Sequence, residues 1–112
     1  MADMTDSVIS VAQYRVKPGA EEQFTDVLRQ HHSTLRTLGL ITDRPIEVFL
    51  GEEKQVQGPL FVEIFEWVSA DGSAQAHTHP QVTQVWEMMG ELCESRGGRP
   101  MFEFPNVRPL AL

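Results

Sequence analysis

The chain has one cysteine, nine basic residues and no long apolar run, and each shortage removes a class of protein. A lone Cys93 cannot make an internal disulfide, which fits a reducing compartment. Beside Met89 and Leu92 it reads as a small buried hydrophobe. Nine Lys and Arg against sixteen Asp and Glu leave a net charge of −7. The basic residues are scattered, so no patch is offered to a phosphate backbone and no nucleic-acid partner is expected. No stretch nears the roughly 20 apolar residues that a membrane helix needs. The opening "MADMTDS" lacks the basic and apolar regions of a secretory signal. A cytoplasmic protein without a membrane partner is expected. A P-loop, a dinucleotide glycine fingerprint and a G-x-S-x-G elbow are all missing, so no cofactor is expected.

What remains is an ordinary globular composition, 41% hydrophobic over 112 residues, enough for one domain. Residues 1–7 are short, polar and expected to fray; residues 8–112 form the domain. "VISVAQYRV" (8–16) reads as a strand from its β-branched residues. Pro18 and Gly19 end it, and Glu21 and Glu22 open a helix where carboxylates suit the dipole. Phe24, Val27, Leu28, Leu35 and Leu38 recur at the spacing of one helical face, and Gly39 is a natural stop. Strands are expected at "RPIEVFLG" (44–51) and "LFVEIFEWV" (60–68), joined by a polar loop. A short helical turn, weakened by Gly72, precedes a second helix that starts at Pro80 and carries Val82, Val85, Trp86, Met89 and Cys93 on one face. "MFEFPNV" (101–107) returns as a fourth strand.

Strand, helix, strand, strand, helix, strand is the split βαβ, ferredoxin-like layout of the α+β class. It predicts one antiparallel sheet with both helices on one face. The third strand is apolar on both parities, and no chain is left to cover its second face. A homodimer packed sheet to sheet would cover it.

Three segments, "YRVKPGAEEQFTDVLR", "FVEIFEWVSADGSAQAHTHPQVTQVWEMM" and "MFEFP", resemble the antibiotic biosynthesis monooxygenase family of the dimeric α/β-barrel superfamily. The likeness spans about residues 8 to 108. It rests on the strand–"VKPG"–helix opening and on an aromatic strand followed by Ala-x-x-His before a Pro-containing helix start. It implies a dimeric α/β barrel whose members include cofactor-free monooxygenases of phenols or quinols, haem-degrading enzymes and proteins with no established reaction. The family often carries an acidic residue two places before the tryptophan of its third strand. Here that place is Phe65, with Glu66 after it and Glu63 further back, so either carboxylate could face a pocket.

Two histidines are candidate catalytic groups. At about 100° per residue, His31 falls inside the Phe24–Val27–Leu28–Leu35 stripe and points at the sheet. It is either a core histidine satisfied by a hydrogen bond or a polar group lining a cavity between helix and sheet. His77 occupies the Ala-x-x-His place, which the resemblance puts at the mouth of that cavity. An imidazole titrates near neutral pH, which suits removal of a phenolic proton. His79, before Pro80, is assigned to the helix cap. H-x-H spacing alone does not make a metal site, which needs three or four converging ligands, so no metal is expected.

Phe61, Phe65, Trp67 and Trp86 are expected to wall the cavity, with Glu63 as a possible substrate contact. Two functions follow. One is a cofactor-independent monooxygenase acting on a small aromatic molecule. The other is a non-catalytic dimer that binds a small apolar molecule or serves a structural role.

Overall fold

In the computed structural model, residues 7–112 are described. Most of the expected frayed segment therefore lies outside the described residues. β1 (Val8–Arg15) leads into α1 (Glu21–Thr37), then β2 (Glu47–Glu53), β3 (Val56–Trp67), the one-turn α2 (Gly72–Ala76), α3 (Pro80–Glu91), β4 (Phe102–Glu103) and β5 (Asn106–Val107). The sheet runs β2-β3-β1-β4, with β5 also paired to β1. The described pairings are antiparallel. This is the expected ferredoxin-like topology.

One part of the expectation is overturned. The sheet does not close into an α/β barrel: it is an open, five-stranded sheet. Among the described residues β2 bonds only to β3, and two-residue β4 and β5 are too short to carry the ladder round to it.

Register sets the two faces. Tyr14 lies opposite Phe61, Ala12 opposite Glu63, Ser10 opposite Phe65 and Val8 opposite Trp67, and all eight are buried. They face the helices, since side chains alternate along a strand. The core closes over them with Phe24, Leu28 and Leu35 from α1 and Val82, Val85 and Met89 from α3. The other parity of β3 (Leu60, Val62, Ile64) is only half-buried.

Two boundaries moved for local reasons. The β2–β3 hairpin is longer than its polar sequence suggested, because Glu53 pairs with Val56 across a two-residue turn. Gln55, the second residue of that turn, takes a positive φ of 65°. The single fourth strand is instead two short ones. Pro105 sits between them and, lacking an N–H, offers the ladder only its carbonyl, which accepts from Val11 at 2.9 Å.

Gly72 does more than weaken a turn. A Cβ there would lie 2.6 Å from the Trp67 ring, so only glycine lets α2 rest on that indole.

Candidate functional site

Between the helices and the inner face of the sheet lies a cavity of about 320 Å³. The sheet supplies Ser10, Tyr14, Phe65 and Trp67. The helices add His31, Ser73, His77, Trp86 and Met89, and the C-terminal segment adds Phe102, Phe104 and Asn106. Among the described residues, no Lys, Arg, Asp or Glu lines it. The walls suit an uncharged, flat, apolar molecule with one or two polar edges.

Its polar centre is a chain of four side chains from four elements. The indole N–H of Trp86 donates to His31 Nε2 at 3.1 Å. His31 Nδ1 lies 3.0 Å from Glu63 Oε2. The Tyr14 hydroxyl donates to Glu63 Oε1 at 2.5 Å. An indole nitrogen can only donate, so Nε2 must accept and the imidazole hydrogen sits on Nδ1, directed at the carboxylate. The two hydrogen bonds thus hold His31 in one tautomer, with its unprotonated nitrogen turned to Trp86, another residue of the cavity wall.

Glu63 is fully buried. Burial pushes its carboxyl upward, but the proximity of His31, the hydrogen bonds of His31 and Tyr14 and the close approach of His32 outweigh that and hold it at about 2. Burial, then the neighbouring carboxylate, pushes the Tyr14 phenol well above its ordinary value, so it stays a donor.

Of the residues expected to form the site, His31, His77, Phe65, Trp67 and Trp86 meet at one cavity. Phe61 and Glu63 do not line it. Phe61 packs edge-on against Phe24, with centroids 5.0 Å apart. Glu63 stands behind the wall, reached through His31 and Tyr14.

His77 is exposed yet borders the cavity, its ring 4.7 Å from that of Trp86. In the helical turn before it, Gly72 and Ala76, one turn apart, tuck inward, while Ala74 is exposed. His79 is the N-cap of α3 in extended conformation, half-buried, and caps through its backbone carbonyl without a side-chain hydrogen bond.

The unforeseen members are Tyr14 and the C-terminal aromatics. Alternation in β1 put Tyr14 on the same face as Ser10 and Ala12, a signal available in sequence. Nothing local in "FEFPN" revealed which face Phe104 would take. Among the described residues, no group of three or more His, Cys, Asp or Glu is arranged to hold a metal ion. No described helix is long and apolar enough to cross a membrane.

No family model and no curated protein matches this sequence. Solved structures do match its fold. SnoaB, a cofactor-independent oxygenase from Streptomyces nogalater, superposes with a TM-score of 0.67 at 16% identity, covering 96% of this chain and 97% of its own. A Nitrosomonas europaea protein named for the antibiotic biosynthesis monooxygenases gives 0.69 at 9% identity over 98% and 96%. A dimeric ferredoxin-like protein of unknown function from Bacteroides fragilis gives 0.59 at 16% identity over 90% and 94%. At such identities the likeness speaks for architecture: this chain has the fold of the antibiotic biosynthesis monooxygenase structures.

Proposed function

We propose that this chain takes a small phenol or quinol into its cavity and oxidises it with O₂ without a bound cofactor. The observation that carries the reading is the Trp86–His31 hydrogen bond, 3.1 Å long, which marks an unprotonated imidazole nitrogen at an aromatic-walled cavity. A ligand hydroxyl that displaces the indole N–H would meet that nitrogen and give up its proton to it. The resulting electron-rich anion, rather than a cofactor, would supply electrons to O₂. Phe65, Trp67 and Trp86 would keep water from the ring, and His77 at the rim would bond a second polar edge. The resemblance in fold to a cofactor-independent oxygenase supports the same reading.

Oxygen uptake with a panel of dihydroxynaphthalenes and anthrones, with no cofactor added, is the test. Uptake should exceed that of a His31→Ala/His77→Ala double variant. Equal rates across the panel would refute the reading.

A second reading, a ligand-binding protein without turnover, is favoured by the fact that both His31 nitrogens already have partners. Tight binding of an anthrone with no oxygen consumed would select it.

We further propose a homodimer through the free face of the sheet. Leu60, Val62 and Ile64 are half-buried there, and Phe49 and Val107 are 51% and 42% exposed. Sedimentation at micromolar concentration should give twice the chain mass, and a stable monomer would overturn the proposal.

A further inference from the structure

Glu63 has no solvent exposure, and its ion-pair partners among the described residues are two imidazoles. His31 Nδ1 is 3.0 Å from Oε2, and His32 Nε2 is 2.6 Å from the same oxygen. The His32 approach is short but lies off the ideal hydrogen-bond line, leaving Nε2 buried and without a well-directed partner. The other groups facing the carboxylate carry no positive charge. β1 contributes the Tyr14 hydroxyl and β2 places Val48 opposite. From α3, Trp86 reaches only His31.

A carboxylate this deeply buried needs a cation beside it. The Trp86 N–H occupies His31 Nε2, so His31 is neutral in this arrangement. Of the two imidazoles, His32 is the one whose Nε2 accepts from no other group. The His32 side chain is 24% exposed while its Nε2 is buried, so another edge of the ring meets water.

We propose that His32 is the counter-charge of Glu63 in the ligand-free protein. This holds whether or not the cavity turns over a ligand. His32 does not line the cavity and is a positioning residue acting through Glu63.

The test is nitrogen NMR of the full chain carrying ¹⁵N-labelled histidine, at neutral pH. In the ligand-free wild type, His32 should show two protonated ring nitrogens and His31 one. In His32→Gln, which can still donate to Glu63 but carries no charge, His31 should gain the second proton. A neutral His32 in the wild type overturns the proposal and needs no variant to fold. So does an unchanged His31 in folded His32→Gln.

Discussion

Tyr14 and Glu63 stand on neighbouring strands, diagonal across the β1–β3 ladder, and are joined by a 2.5 Å hydrogen bond. Tyr14→Phe keeps the ring packed against Phe24 and Phe102 but removes a donor from a buried carboxylate. The expected loss is about 1–3 kcal/mol of stability, the usual scale for an unsatisfied buried group. Urea denaturation at neutral pH measures it.

Acid should weaken the fold through Glu63. Its carboxyl is held at about 2 in the folded protein against an ordinary 4.5. The folded value is the lower one, so the stabilisation is present above 4.5 and is lost as pH falls toward 2. Glu63→Gln should flatten that limb of the stability curve and lower stability at neutral pH, where His32 and His31 lose their shared anion. Thermal melts between pH 2 and pH 7 would compare the two proteins, and parallel curves would contradict the assignment.

Gly58 and Arg96, neither of them a cavity-lining residue, form a second close approach. The guanidinium lies 2.5 Å from where a Cβ at residue 58 would be, and Gly58 has φ +128°. Arg96 also donates to the Val16 carbonyl at 2.8 Å and to the Pro59 carbonyl. Gly58→Ala therefore strains the backbone and dislodges the clamp between β3 and the end of β1. A loss of about 2–4 kcal/mol is expected by chemical denaturation, combining overpacking with backbone strain.

Cys93 should resist alkylation. Burial pushes its thiol up to about 12, against the opposing pull of Arg96 and Lys17. At pH 8 the folded protein should react with iodoacetamide at least ten-fold more slowly than the urea-unfolded chain, because the thiolate is the nucleophile. Mass spectrometry of a time course decides it.

The sequence was most legible where one residue's role is set by periodicity. The 3.6-residue stripe of α1 carried His31 to the inner face, and strand alternation paired Phe65 and Trp67 on one side. It was least legible where contacts come from far along the chain. Glu63 was expected as a substrate contact, one of two carboxylates near the tryptophan of its strand. Its withdrawal behind His31 depends on Tyr14, 49 residues away. Likewise the barrel expectation failed at the chain's end, where Pro105 divides what a hydrophobic pattern alone reads as one strand.

The β1–β5 ladder joins Ile9 to Val107, and that places the cavity late in folding. Contacts so distant in sequence carry a large loop-closure cost and form after local ones. α1 and the β2–β3 hairpin can assemble while the wall made by Phe102, Phe104 and Asn106 is still missing. Ligand affinity therefore reports on closure of the whole chain, and a refolding experiment followed by a cavity-bound fluorophore should lag one followed by helical circular dichroism.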